Sequence, residues 1–250
     1  MDQDQPASVL IKTAWRILDG PEAGYVEADG LIPIPKQHAL ENRTACLTVR
    51  LGLVGMHIVA KVQSGNGDKW IWATFEHVDN VPTAQNARDI NSLYAKSLFP
   101  DGCLPPETQS ISDYLLFDAT CPDCPTNEAP TATLLWSETP PFARRLDGTP
   151  AQPSQVVRCW DIFGPTQDTN TVWQAKLNGS KLANYMLISS QWRGANPDPI
   201  FEHGELPRYL SNTTMETYLQ TDPSGTCLGC HAAAETSEGA FSDFTFLLRN

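Results

Sequence analysis

CLTVRLGLVGMHIVAKV (residues 46–62) runs through QSGNGDK (63–69) into WIWATFEHV (70–78). Two runs rich in β-branched and aromatic residues flank a Gly-Asn-Gly-Asp turn signature, and that pattern predicts an antiparallel β hairpin. Strand side chains alternate, so Trp70, Trp72, Thr74 and Glu76 share one face, and Ile71, Ala73, Phe75 and His77 share the other. A turn centred near Asn66 sets His57 opposite Phe75, which places His57 and His77 on one face and Met56 on the other. A register shift of one residue reverses that assignment.

Outward from the hairpin, SVLIKTAWRIL (8–18) alternates as a half-buried strand, with Val9, Ile11, Thr13, Trp15 and Ile17 on one side and Lys12 and Arg16 on the other. Residues 19–45 read as loop with at most short strands. From 80 to 155 the chain is loop-rich, because DGCLPPE, TCPDCPTNEAPTA and SETPPFARRLDGTPAQP carry proline at a density that breaks regular elements. RDINSLYAKSLF (88–99) predicts a short helix, TNTVWQAKL (169–177) a strand, and SKLANYMLISSQW (180–192) either one. LPRYLSNTTMETYLQ (206–220) predicts a short helix with Ser211 or Asn212 as N-cap and Glu216 in its first turn. The expected class is α+β over a single domain, residues 1–250. A Trp-rich antiparallel sheet forms its core, its middle is loop-rich, and a helical attachment segment fills 205–250.

That last segment contains TCLGCHAAA (226–234). Covalent haem c attachment needs two thiols separated by two residues and a histidine directly after the second, so that the imidazole falls beneath the iron. Cys227, Cys230 and His231 meet this requirement, which predicts one covalent haem c with His231 as proximal iron ligand. Two other chemistries compete. A structural zinc site needs four ligands, and Cys121-Pro-Asp-Cys124 supplies a second pair. A dithiol redox site needs its C-x-x-C at a strand-to-helix turn of a βαβ unit, which this pattern lacks.

No methionine follows the motif, so a sixth iron ligand has to come from upstream, and the fold is not that of a small class I cytochrome c. His57 and His77 are the leading candidates for the distal position, with Met215 and Met186 behind them. Five cysteines remain, Cys46, Cys103, Cys121, Cys124 and Cys159, and two disulfides among them leave one thiol free. Either Cys103 pairs with one of Cys121 and Cys124, or those two pair with each other.

The formal charge of −12 opposes nucleic-acid binding and docking on anionic lipid. It favours a redox partner with a basic docking patch. No stretch reaches the apolar length of a bilayer span, and MDQDQPASVL is not a signal peptide. Seven cysteines and a strand beginning near residue 8 lead to the expectation of a periplasmic or otherwise extracytoplasmic chain separated from a leader or N-terminal extension.

The strings GLVGMHIVAK, WIWATFEHVDNVP, LSNTTMETYLQT and CLGCHAAA with FSDFTFLL together resemble a group of exported bacterial cytochrome c family proteins. The likeness runs from IKTAWRIL to DFTFLL, and members of the group tend to be longer, with an N-terminal extension and an export signal. It implies haem roles for Cys227, Cys230 and His231 and supplies no distal ligand. The resulting expectation is one-electron transfer. The alternatives are a peroxidase- or oxygenase-like haem enzyme, a haem-based sensor with an open distal site, and a zinc-stabilised binding protein.

Overall fold

The computed structural model describes residues 8–18, 20, 24–64, 67–89, 102–107, 114–151, 155–192, 207 and 209–248. Its centre is an antiparallel sheet in the order β1 (Val9–Ile17), β3 (Ala45–Ser64), β4 (Gly67–His77), β9 (Tyr185–Trp192). Strand β2 (Glu27–Ile34) pairs with the first half of the 20-residue β3, below β1. Two smaller sheets pair β5 (Thr83–Asp89) with β8 (Arg158–Asp161) and β6 (Leu134–Trp136) with β7 (Ala143–Arg145). The described helices are few: α1 (Gly164–Lys176), α2 (Cys227–His231) and short 3-10 turns. Among the described residues, no helix is long and apolar enough to cross a membrane.

The hairpin forms where the sequence predicts it, but its register is displaced by one residue. Pairing closes at Ser64 and Gly67, so the ladder centres between residues 65 and 66 and sets His57 opposite Thr74 and Met56 opposite Phe75. Because the strand period is two, this moves His57 to the face of Trp72, Thr74 and Glu76 and leaves His77 on the opposite one. The expectation that the two histidines share a face is therefore corrected.

Strand β1 also forms, with its inner side reversed over the first half; past a register shift at Ala14 and Trp15, Ile17 packs inward as expected. Val9 and Ile11 are 55% and 64% exposed, whereas Leu10 packs against the cluster of Val59, Trp72, Leu228 and Phe244. Residues 169–177 are helix α1 rather than strand. Pro165 starts that helix, Asn170 holds the Leu187 backbone at both N–H and C=O, and Gln174 donates to the Tyr185 carbonyl. Residues 180–192 resolve into a 3-10 turn followed by β9. The helix expected near 206–220 is a run of turns ending in a 3-10 turn at Thr217–Leu219. Its caps do form: Asn212 Oδ1 accepts from Thr214 N at 2.9 Å, and Glu216 Oε2 accepts from Asn212 N at 3.0 Å. The expected helix at 88–99 lies almost wholly outside the described residues.

A buried polar clamp fixes these turns to the sheet. Asn212 Nδ2 donates to Thr74 Oγ1 and to the Phe75 carbonyl, and Thr213 gives both its N–H and its hydroxyl to the Glu76 carboxylate. Arg158 Nη2 completes Glu76 at 2.7 Å, with both side chains buried. Gly55 leaves room for the turn, since a Cβ there would run into Thr214 Oγ1. Two cysteine pairs stand at disulfide distance, Cys121 with Cys124 and Cys103 with Cys159, and Cys46 is left free. The first pair is one of the two expected arrangements; the partner of Cys103 is a cysteine 56 residues away rather than one of its near neighbours.

The candidate haem-attachment cavity

Helix α2 carries the C-x-x-C-H motif. Thr226 Oγ1 accepts from Gly229 N at 3.0 Å and caps the helix, while Leu228 is buried against Val59 and Trp72. Gln191 Oε1, from β9, accepts from Leu228 N at 3.1 Å and ties the motif to the sheet. Helical spacing then brings Cys227, Cys230 and His231 to one side, and all three line a cavity of about 500 Å³.

His231 is held between ring contacts and a hydrogen bond. Its ring lies 4.2 Å from Trp72 and 5.1 Å from Phe246, centroid to centroid. Its Nδ1 lies 2.8 Å from the Phe244 carbonyl, which can only accept, so Nδ1 carries the proton. Burial lowers the imidazole pKa and favours the neutral ring. The neutral Nδ1–H tautomer leaves Nε2 as the free donor pair, the state a metal-ligating histidine adopts.

The rest of the lining includes residues of the sheet and of the 212–219 turns: Leu10 and Lys12 of β1, His57 and Val59 of β3, Trp72 of β4, and Glu216 with Leu219. His57 is buried, and its Nε2 lies 3.4 Å from Glu216 Oε2 without making a hydrogen bond. Lys12 Nζ lies 3.8 Å from the other Glu216 oxygen. Trp72 Nε1 is likewise buried without a hydrogen-bond partner. Orphaned polar atoms of this kind are rare in finished interiors and suit a cavity that takes a ligand.

Both motif thiols are protonated at neutral pH. Burial, assisted by the nearby Glu216 charge, pushes Cys227 up to about 12, and burial raises Cys230 as well. A dithiol-exchange role, which depends on a ready thiolate, needs the opposite shift. The second pair that a four-thiolate zinc site needs, Cys121 and Cys124, is bridged to itself. Among the described residues no cluster of three or more His, Cys, Asp or Glu side chains is arranged to hold a metal ion.

The other distal candidates stand elsewhere. His77 is stacked on Tyr25 at 3.7 Å on the far face of the sheet, and its Nδ1 accepts from Asp79 N. Met186 packs against the cluster of Cys159, Trp160, Ile188, Tyr209 and Leu210. Met215 sits in the turn beside Glu216 and does not line the cavity. Most of the cavity lining was not anticipated as site residues, and of it Trp72, Glu216 and Phe244 lie closest to the two histidines. Alternation in the correct register groups Trp72 with His57, and a carboxylate four residues beyond an N-cap signals Glu216; nothing in the sequence points to the Phe244 carbonyl.

Comparison of the chain with protein-family models, curated proteins and solved structures returns no match.

Proposed function

We propose that the cavity holds one covalent haem c and that the protein carries single electrons to or from a redox partner. Cys227 and Cys230 would form the thioethers and His231 the proximal iron bond; the bound group would supply the one-electron couple. The observation carrying this reading is the His231 tautomer. Its Nδ1–H is committed to Phe244, and its ring borders a largely apolar cavity that both motif thiols also line. His57 is the sixth-ligand candidate, because it alone of His57, His77, Met186 and Met215 lines that cavity. Two cysteine pairs at disulfide distance favour an extracytoplasmic setting. The charge of −12 favours a partner with a basic docking patch.

The closeness of Glu216 to His57 Nε2 favours a second reading, in which His57 and Glu216 exchange protons with a small oxidant such as peroxide and the distal site stays open. One experiment serves both. The chain is matured in the presence of haem-attachment machinery, and its mass and visible spectrum are recorded with and without cyanide and carbon monoxide. Electron transfer predicts one haem retained under denaturing conditions and a low-spin iron indifferent to added ligands. His57→Ala then converts it to a high-spin, ligand-binding form. A ligand-binding iron in the unsubstituted protein selects the second reading. A chain that matures without covalent haem overturns both.

A further inference from the structure

The Phe244 carbonyl that meets His231 belongs to an unusual turn. Thr245 N donates to the Ser242 carbonyl at 3.1 Å, and the two residues between, Asp243 and Phe244, have φ of 51° and 64°. Positive φ at both central positions is the signature of a type I′ turn, whose second central residue is usually glycine. Here a phenylalanine occupies it. Backbone strain at non-glycine residues persists only where the surroundings over-determine it, and it gathers at functional positions.

Two contacts hold this one in place, and an exposed ion pair beside them adds little. The Phe244 ring is buried among Val59, Trp72 and Leu228. Asp243 Oδ2 meets Lys61 Nζ of β3 at 2.7 Å. Ser242 N donates to the Ala234 carbonyl at 3.1 Å, which fixes the start of the turn just beyond α2. With the ring anchored on the sheet and the chain pinned at Ala234, the left-handed pair faces the 244 carbonyl back to His231.

We propose that the Asp243–Phe244 turn is a positioning device that holds His231 in its Nδ1–H tautomer and aims the lone pair of Nε2 into the cavity. Free histidine prefers the opposite tautomer, so the turn has a measurable task. Where the haem reading of the preceding section also holds, the same hydrogen bond increases the electron donation of the axial imidazole and stabilises the oxidised iron.

The test compares substitutions at Asp243 that all remove the carboxylate and differ in their tolerance of positive φ. Glycine and asparagine accept it, whereas β-branched valine does not. The tautomer is read from the ¹⁵N shifts of His231 in the haem-free chain of residues 1–250 at a pH where the ring is neutral. The unsubstituted chain, Asp243→Gly and Asp243→Asn are expected to show Nδ1–H, and Asp243→Val mainly Nε2–H. An Nε2–H signal in the unsubstituted chain overturns the proposal, as does Nδ1–H retained in a folded Asp243→Val. If the valine variant does not fold, Asp243→Ala replaces it, with a partial shift expected and no shift counting against. In haem-loaded protein the midpoint potential should rise in the variant that loses the bond and stay put in Asp243→Asn. That second arm depends on haem attachment and the first does not, so failure of the cofactor reading and failure of the turn's role are told apart.

Discussion

Arg158→Met tests whether the buried clamp, rather than burial of apolar surface, fixes the cavity's turn wall to the sheet. Glu76 is fully buried and receives Arg158 Nη2 at 2.7 Å and Thr213 N at 2.8 Å, together with the Thr213 hydroxyl. Methionine keeps most of the arginine's apolar length but leaves a buried carboxylate with Thr213 as its remaining partner in this clamp. Breaking a buried ion pair from one side costs about 3–5 kcal/mol, whereas an exposed pair is worth roughly 0–1 kcal/mol. Arg158→Met should therefore lose about 3–5 kcal/mol in urea unfolding. The double replacement Glu76→Leu/Arg158→Met should recover a large part of that loss, because no charge then remains buried, although Thr213 gives up its acceptor. A single-variant cost below about 1 kcal/mol, or a double variant worse than the single one, would show that solvent reaches the pair and that the clamp argument is wrong.

The seam between the sheet and the 212–214 turn should resist substitution in a second place: Gly55→Ala drives a methyl group into Thr214 Oγ1 and should cost on the order of 1–3 kcal/mol by displacing that turn, as read by thermal unfolding. Burial lowers the pKa of His77 below its ordinary 6.5, so the unfolded chain takes up a proton that the folded chain refuses. Stability is accordingly complete above about pH 6.5 and falls as the pH drops below it, and His231 contributes in the same direction. His77→Gln should flatten that slope between about pH 6.5 and 5, above the range where carboxylates such as Asp118 titrate; an unchanged slope refutes the assignment. In the haem-free chain at pH 8, a Cys227 thiol pushed up to about 12 leaves roughly one part in ten thousand as thiolate. Iodoacetamide should therefore modify the exposed Cys46 long before Cys227, and equal labelling rates would contradict the buried placement.

Both strands of the hairpin could be read from the sequence, as could the motif at 227–231, because β-branched alternation and C-x-x-C-H spacing are local signals. Register was not legible, since a Gly-rich connection admits more than one closing pair and a shift of one residue exchanges the two faces. That shift decides the site: it brings His57 to Trp72 and removes His77. Residues 169–177 mislead for a different reason. Thr171 and Val172 favour strand locally, but docking of Asn170 and Gln174 on β9 makes the segment helical. Near 212 the capping residues act as their types predict, yet Thr213 is drawn to Glu76 and the chain turns instead of propagating a helix. The role of the Phe244 carbonyl lies outside side-chain chemistry altogether, so no pattern of residue types announces it.

The distance in sequence between the two sides of the cavity has a kinetic consequence. Thr213 meets Glu76 across 137 residues, and Asp243 meets Lys61 across 182. Each contact closes a very long loop, and that entropy is lost before the contact returns anything, so chains dominated by such pairings fold slowly. The sheet between β1 and β4 is comparatively local and can form ahead of them. During refolding, Trp72 fluorescence should report a formed sheet whose upper wall is still missing, and the motif cysteines spend that interval accessible to solvent.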